Sequence, residues 1–154
     1  MKNLLSCTLI LAFLFSASGQ ESDLDALKQT YADWVEAWNA KDAKRVAAIS
    51  WGNFGFGRDA PFPRSGATDS LAYERGIGGY MDSMERIDYQ VYYTNYRIVD
   101  GIGLIDGFYA QTTKPKDGPL RTVYGRQSLV LSKRNGRWKM IHYHRSALPN
   151  EFIR

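Results

Sequence analysis

Three turn-forming dipeptides divide the second half of the chain at nearly regular intervals. Asp100-Gly101, Asp117-Gly118 and Asn135-Gly136 lie 17 and 18 residues apart. Each dipeptide accepts the left-handed backbone that a tight β-hairpin turn requires. The pattern therefore predicts four antiparallel strands in a meander, over residues 89–99, 102–113, 120–134 and 137–146. Strands this long exceed the usual five or six residues and are expected to twist and curl.

The first half of the chain has helical periodicity instead. Ser22 begins a capping-box pattern with Asp25 three residues later, and this predicts a helix start. The apolar positions that follow have helical spacing, and they are Leu24, Leu27, Tyr31, Trp34, Val35 and Trp38. Because this stripe carries two tryptophans and a tyrosine, it needs a broad apolar partner such as the face of a sheet.

Two shorter helices are expected between this helix and the strands. Asp42 can cap the first of them, which continues through Val46 and Ile49. A third helix is predicted over residues 69–87, although Gly76, Gly78 and Gly79 each cost about 1 kcal/mol relative to Ala. Residues 51–66 are rich in Gly, Pro and Phe, which predicts irregular chain or a short hairpin. The fold class is therefore α+β, a curled antiparallel sheet of four long strands packed on a long N-terminal helix and two shorter ones.

Large apolar residues are expected on both faces of this sheet. Val91 and Tyr93 alternate with Tyr92 and Ile98 on the first strand. One face receives the helices, so the other favours a homodimer that forms through the sheet. The alternative is that scattered tyrosines are simply exposed to solvent, because protein surfaces carry much apolar area.

The N-terminal segment has the pattern of a secretory signal peptide. Lys2 precedes an apolar run over residues 4–15, and small residues follow it. Cleavage near Ala17 to Gly19 would leave one domain over residues 20–154, either secreted or periplasmic and with no membrane segment. The run is shorter than the roughly 20 residues of a spanning helix. Cys7 leaves a lipid anchor as a minor alternative, and its removal would leave no disulfide, zinc-thiolate site or cysteine nucleophile.

Length and charge narrow the possible partners. A chain of 154 residues suits a single domain, and its formal net charge of +4 is spread along the sequence. Nucleic acid is therefore not expected as a partner. The glycines near Gly76 lack the spacing and the preceding strand of a nucleotide-binding loop, and neither a cofactor nor a metal is expected.

The register of the last predicted hairpin decides which side chains share a face. A two-residue turn at Asn135-Gly136 would place Arg145 opposite Arg126, which is unfavourable. A three-residue loop with Gly136 as a bulge residue is predicted instead, and it pairs Ile141 with Leu129, Met140 with Val130 and Tyr143 with Gln127. Arg145 then shares a face with Tyr143, Ile141, Gln127, Leu129 and Val123, whereas His142 and His144 share the other face with Met140, Trp138 and Arg126.

Residues 121–149 resemble the end of the association (hub) domain of calcium/calmodulin-dependent protein kinase II. The likeness lies in the elements Arg-Thr, Asn-Gly-Arg-Trp-Lys and Ile-His-Tyr-His-Arg-Ser-Ala-Leu-Pro. The sequence around Trp38 approximates an early motif of the same superfamily, the nuclear transport factor 2-like and SnoaL-like proteins. The resemblance implies a cone that is hollow at one end and commonly dimeric. Of the arginines that line the cavity of the hub, only Arg145 carries over, because Tyr109 and Leu129 occupy the other two positions.

The expected ligand site follows from the predicted faces together with this resemblance. Its residues are Arg145, Tyr143, Gln127, Tyr109, Gln111, Trp34 and Trp38. An inward Arg145 could capture a ligand carboxylate, or it could form an internal ion pair with an acid such as Asp33 or Glu36.

The catalytic and metal-binding candidates are weaker. His142 and His144 could ligate a metal from one face, but the interpretation as hydrogen-bonded residues of a dimer interface is favoured. Asp59 and Asp106 come nearest to a catalytic acid or base, yet neither has an evident partner, so no catalytic residue is assigned. The sequence favours an exported dimeric domain that binds a small acidic or aromatic molecule. The alternative is a small lyase, isomerase or cyclase of the SnoaL or steroid-isomerase type.

Overall fold

The computed structural model describes the backbone of residues 4–57 and 70–149, and the side chains of residues 22–50 and 71–149. In these ranges three helices precede or flank a single sheet whose strand order is β1-β5-β4-β3-β2. The elements are α1 (Leu4–Asn39), α2 (Ala43–Ile49), β1 (Ser50–Gly57), α3 (Ser70–Asp82), β2 (Met84–Val99), β3 (Ile102–Pro115), β4 (Arg121–Arg134) and β5 (Arg137–Ala147). The predicted α+β class is confirmed. No helix in the described part is both long and apolar enough to cross a bilayer.

The four predicted strands are present as the antiparallel meander β2 to β5. Asp100-Gly101 and Asn135-Gly136 form the predicted tight turns, with φ of 49° and 74° in the first and 51° and 75° in the second. Asp117-Gly118 does not, because the chain between β3 and β4 is a longer loop in which the Gly118 N–H donates to the Pro115 carbonyl at 3.3 Å. Pro119 follows directly, and proline cannot donate a hydrogen bond to a strand ladder.

The predicted register of the last hairpin is wrong along its whole length, because Ile141 does not pair with Leu129, Met140 does not pair with Val130 and Tyr143 does not pair with Gln127. Arg134 pairs with Arg137 across a two-residue turn, and a β-bulge at Ile141 then shifts the pairing. Beyond the bulge, Gln127 pairs with Arg145 and Leu129 pairs with Tyr143. The extra residue removes the Arg145–Arg126 opposition that argued against the short turn.

The bulge also changes which residues share the inner face. Arg145, Tyr143, Gln127 and Leu129 share it as predicted, while His142 and His144 are exposed. Trp138 and Met140 are buried rather than on the histidine face, because the bulge reverses the alternation of side chains along β5. Val123, predicted on the inner face, is 43% exposed.

A second bulge shapes β2. It lies between Tyr92 and Asn95, and Tyr93 adopts a φ of 49° there. Val91 and Ile98 pack against the core, whereas Tyr92 and Tyr93 are exposed. The simple alternation predicted for this strand is therefore wrong, because one additional residue exchanges the two faces.

The segment after α2 contains a strand that the sequence did not predict. β1 pairs in parallel with β5, with Phe56 opposite Tyr143. The expectation of irregular chain or a hairpin over residues 51–66 is wrong for its first part, and the rest extends beyond the described residues. A parallel edge strand is specified by a distant partner, and the Gly-rich sequence has no alternating pattern that would reveal it.

The helices follow the predictions except at their ends. α1 continues from Leu4 through Ser22, so the capping-box residues do not begin a helix. Asp42 caps α2 as predicted, because its side chain accepts a hydrogen bond from the Arg45 N–H at 2.9 Å. α3 ends at Asp82 instead of residue 87, since the apolar residues that follow belong to β2.

The core lies between α1 and the concave face of the sheet. Leu27, Tyr31 and Trp34 on the helix are each at most 2% exposed, as are Ile105 and Leu129 on the sheet. A hydrogen bond also joins α1 to the β4–β5 hairpin. The Trp138 Nε1 donates to the Asp23 carbonyl at 3.2 Å. The helix stripe therefore packs on a sheet face, as its aromatic composition predicts.

Candidate functional site

Arg145 lies on the inner face of β5, near the end of the strand. Its Nη1 donates to the Gln111 Oε1 at 2.7 Å, and its guanidinium carbon is 5.7 Å from the centre of the Tyr109 ring. Its Nε is buried and has no hydrogen-bond partner. Burial lowers the pKa of Arg145, but electrostatic interactions with Tyr143, Tyr109 and Tyr89 raise it by more, so the pKa lies above its usual value. Arg145 is therefore a permanent cation in an aromatic environment.

The internal ion pair considered for Arg145 does not form. Glu36 pairs with Arg45 at 3.3 Å on the exposed side of α1, and Asp33 accepts a hydrogen bond from the Gln29 amide at 2.8 Å. Among the residues with described side chains, no carboxylate lies within salt-bridge distance of Arg145. A buried charge is normally compensated, so this arrangement is unusual.

Tyr109 reaches Arg145 because a glycine stands opposite it. Tyr109 pairs with Gly125 on β4, and a Cβ added to Gly125 would lie 2.5 Å from the Tyr109 ring. The ring occupies this space and stacks on Tyr89, with centroids 5.6 Å apart and planes 7° apart. Gly125 therefore sets the position of the ring beside which the guanidinium lies.

A buried hydrogen-bonded chain runs next to the arginine. The Tyr89 hydroxyl donates to the Gln127 Oε1 at 2.6 Å, and the Gln127 Nε2 donates to the Tyr31 hydroxyl. The hydroxyls of Tyr89 and Tyr143 are 3.1 Å apart. Because the Tyr89 proton is used by Gln127, Tyr143 is the donor in that contact. The four side chains form a polar chain inside an apolar core.

Burial keeps these phenols protonated. It is the main cause that raises the pKa of Tyr31, of Tyr73 and of Tyr89 above 10. Neutral phenols can donate hydrogen bonds to a ligand, but a phenol with a raised pKa is a poor general base at neutral pH.

The two tryptophans of α1 face this cluster. Trp34 is 1% exposed, and its ring centre is 5.4 Å from that of Tyr143 and 5.6 Å from that of Tyr89. Trp38 is half-buried and meets Tyr80 of α3 at 6.2 Å with planes 70° apart. Neither indole N–H has a hydrogen-bond partner, although both are buried. Together with the Arg145 Nε, the described part of the interior holds three unsatisfied donors.

The structure thus brings together all seven residues expected at the ligand site. It adds Tyr89, Tyr31 and Tyr80, which sequence reasoning missed. The inward alternation of Ile87, Tyr89 and Val91 was the available signal for Tyr89, and the helical spacing of α1 was the signal for Tyr31. Tyr80 could be placed only once the packing of α3 was known.

The candidates for metal binding and catalysis do not belong to this cluster in the described part of the chain. His142 and His144 are exposed on the outer face, and no group of three potential ligands that could hold a metal occurs in the described part. Asp106 accepts a hydrogen bond from Arg97 at 2.9 Å, and this pair is at the surface. Asp59 is outside the described residues.

Comparisons with known proteins agree with this architecture. Residues 27–151 match the SnoaL-like domain. No curated protein matches the chain. Among solved structures, a candidate calcium/calmodulin-dependent protein kinase II association domain from Xanthomonas campestris is 21% identical, with a TM-score of 0.63 over 77% of this chain and 83% of that one.

Two further structures are similar in fold at lower identity. A candidate scytalone dehydratase from Novosphingobium aromaticivorans has a TM-score of 0.74 at 12% identity, over 86% of this chain and 89% of that one. A nuclear transport factor 2-like superfamily protein from Salmonella enterica has a TM-score of 0.68 at 12% identity, over 87% and 94%. At these identities the likeness concerns the fold alone.

Proposed function

The chain belongs to the SnoaL-like domain family, and on that premise we propose that it binds a small anionic molecule at Arg145. The observation that carries the proposal is a half-buried guanidinium with a buried, unsatisfied Nε and no carboxylate beside it in the described part. Gln111 and Tyr109 compensate the charge only in part, because one is a neutral acceptor and the other an aromatic ring. An acidic ligand would complete the compensation.

The aromatic surroundings favour a small ligand over a macromolecule. The Tyr109 ring lies beside the guanidinium, with its centre 5.7 Å from the guanidinium carbon, and it stacks on Tyr89. Small-molecule sites are mostly apolar, with a few polar groups that fix the orientation of the ligand. Arg145 and Gln111 would be those polar groups here.

A lyase, isomerase or cyclase would need a base within this interior. The described groups that contact Arg145 are the amide of Gln111 and the ring of Tyr109, and in the adjoining chain burial keeps the phenols of Tyr31 and Tyr89 protonated. Asp106 and the two histidines are at the surface. No observation in the described part favours catalysis, so binding is the function that we propose.

Replacement of Arg145 tests the binding proposal. Acetate, benzoate, succinate and phosphate would be titrated against the wild type and Arg145→Ala, with thermal unfolding as the readout. A ligand at about 100 times its Kd adds about 2.7 kcal/mol to the stability of the native state. We expect at least one acid to stabilise the wild type and to lose this effect in Arg145→Ala.

Arg137→Ala is the matched control, because Arg137 is exposed at the other end of the same strand. It should keep the full stabilisation. If every acid that stabilises the wild type stabilises Arg145→Ala equally, Arg145 is not the binding group.

We also propose that the protein is exported and forms a homodimer through the outer face of the sheet. Exposed aromatic side chains on β2, β3 and β4 support the dimer, among them Tyr92, Phe108 and Tyr124, each at least 40% exposed. Sedimentation of residues 20–154 at micromolar concentration should give twice the monomer mass, and a monomer would contradict the proposal.

Export predicts a mature N-terminus near residues 18–20, which mass spectrometry of fractionated cells would identify.

A further inference from the structure

We propose that Tyr93 anchors the homodimer, with the ring of each copy inserted into an apolar groove on the outer face of the other copy's sheet. This proposal rests on the proposed homodimer and goes beyond it by naming the contact that holds the two copies together. Three features of the outer face carry it: the backbone of Tyr93, the groove beside it, and the fit between the two.

Tyr93 has an unusual backbone for its position. It lies within β2, yet its φ is 49°. The other non-glycine residues with positive φ in the described ranges, Lys41, Asp100 and Asn135, all lie between elements. Bulky side chains are disfavoured at positive φ, and such strain persists mainly where the surrounding structure enforces it, commonly at functional positions. The strained backbone therefore indicates a function for this tyrosine.

The neighbouring strand is shaped to accept the bulge that contains Tyr93. The register between β2 and β3 shifts between Tyr92 and Asn95, and Gly107 of β3 lies beside this shift. A Cβ at Gly107 would lie 3.1 Å from both the Thr94 Cα and the Tyr92 carbonyl oxygen, which is tighter than ordinary contact. The bulge leaves Tyr93 86% exposed. Burial within its own chain therefore offsets little of the strain, whereas contact with another molecule would offset more.

Tyr93 forms one side of an apolar groove with a volume of about 310 Å³. The facing walls are the side chains of Tyr92, Phe108, Tyr124 and Leu148. The Tyr93 ring meets the Phe108 ring edge to face, with centres 6.4 Å apart. None of these residues carries a charge. Two copies of a chain with a net charge of +4 can therefore meet at the groove itself without placing like charges in it.

A projecting ring and a groove in the same patch suit a second copy of the chain. In a two-fold dimer the same surface patch faces itself, so each copy offers the ring and receives the other. A small ligand or a different protein would use the groove alone and would leave the strain at Tyr93 unexplained. Reciprocal insertion buries both rings, and buried tyrosines are frequent anchors near the centre of interfaces.

The exposed aromatic surface has the size expected for the centre of a dimer interface. The exposed fractions of Tyr92, Tyr93, Phe108 and Tyr124 together amount to about two whole aromatic residues. At roughly 150–250 Å² each, they offer roughly 300–500 Å² per copy. A standard interface buries about 800 Å² per partner, with an apolar centre and a polar rim. The patch therefore supplies about half of that area, enough for the centre.

Sedimentation equilibrium of the wild type and Tyr93→Gly tests the anchor. Glycine adopts a φ of 49° without strain, so the variant lacks the ring but should keep the bulge and the circular dichroism of the wild type. Loss of one anchor weakens an interface about thirtyfold, and a symmetric dimer loses two anchors. The Kd of the dimer should therefore rise at least about a hundredfold.

Two further variants control this measurement. Tyr93→Phe keeps the ring and should change the Kd of the dimer by less than about fivefold, because the groove is apolar. Leu71→Ala is the matched control, because Leu71 is a large exposed apolar residue on α3 and not on the sheet. It should change the Kd by less than about twofold.

Mixing two variants tests the reciprocal insertion. Leu148→Arg keeps Tyr93 but places a bulky charge in the groove, so it should weaken the homodimer as Tyr93→Gly does. A heterodimer of the two variants retains one intact contact, with the ring from Leu148→Arg and the groove from Tyr93→Gly. Fluorescence anisotropy of one labelled variant should show a heterodimer at least about tenfold tighter than either homodimer.

The failures of the two proposals are distinguishable. If the wild type is a monomer at micromolar concentration, the proposed homodimer fails, and the anchor fails with it. If the wild type is a dimer and Tyr93→Gly is equally tight, the homodimer stands while the anchor is wrong. If Tyr93→Gly weakens the dimer but the mixture is no tighter than either homodimer, the ring does not enter the groove of the other copy.

Discussion

Replacement of Gln127 by Leu should destabilise the protein, because two buried tyrosine hydroxyls would lose their hydrogen-bond partner. Gln127 is 2% exposed, and its amide accepts from the Tyr89 hydroxyl and donates to the Tyr31 hydroxyl. Leu has a similar volume, so the cavity term is small. Each buried polar group that loses its partner costs about 1–3 kcal/mol. Tyr89 can recover part of this cost by donating to Tyr143, whose hydroxyl is 3.1 Å away.

The expected loss is therefore about 2 kcal/mol, which corresponds to roughly 4–8 °C in Tm for a chain of this size. Urea unfolding of the wild type and Gln127→Leu measures it. Gln29→Leu is the matched control, because Gln29 is exposed on α1 and the same exchange there should stay within about 0.5 kcal/mol.

A double-mutant cycle identifies the cause. In a Tyr89→Phe background the donor to Gln127 is absent, so Gln127→Leu should cost about 1 kcal/mol less than in the wild type. Equal costs in the two backgrounds would refute the hydrogen-bonded chain as the source of the effect. A Gln127→Leu variant as stable as Gln29→Leu would refute the estimate altogether.

Two further predictions concern the same interior. Gly125→Ala should cost about 1–3 kcal/mol in urea unfolding and should weaken any acid bound at Arg145, because the new Cβ would overlap both the Ser146 carbonyl oxygen and the Tyr109 ring. Gly79→Ala, where a Cβ meets nothing within 4 Å, should not destabilise, and equal losses in both variants would contradict the overlap argument. Burial raises the pKa of Tyr31 and of Tyr89 above 10, so above about pH 10 the unfolded chain releases protons that the native state keeps. Stability should then fall by about 1.4 kcal/mol per pH unit for each buried tyrosine, and a Tyr89→Phe variant whose stability falls as steeply above pH 10 as that of the wild type would contradict this.

Much of the fold was predictable because its signals are local. The dipeptides at Asp100 and Asn135 require a left-handed backbone that few residues adopt, and they formed the predicted turns. The aromatic stripe that includes Trp34 follows helical spacing, so it had to pack on a broad surface. Asp42 caps α2 through its own side chain, again a local interaction.

The errors occurred where distant parts of the chain decide the structure. The bulge at Ile141 is one extra residue whose position depends on the pairing of β4 with β5, and it moved Trp138 and Met140 to the inner face. β1 forms only because β5 offers an edge for parallel pairing, and no local pattern announces such a partner.

The candidate site also has one part that the sequence could predict and one part that it could not. The inward position of Arg145 beside Tyr143 and Gln127 could be predicted, because no bulge interrupts the alternation between Tyr143 and Arg145. Its lack of a carboxylate partner could not, because charges that are close in the fold are far apart in the sequence. Only the tertiary packing showed that Glu36 pairs with Arg45 instead, and that the guanidinium meets an amide and a ring.

The sequence by itself determined two of the tight turns and the apolar stripe of α1, since these depend on neighbours within a few residues. The tertiary structure alone decided which buried donors are left without partners. Whether a hydrogen bond is satisfied depends on the distance between groups on different elements, and that distance exists only after the helices have packed on the sheet.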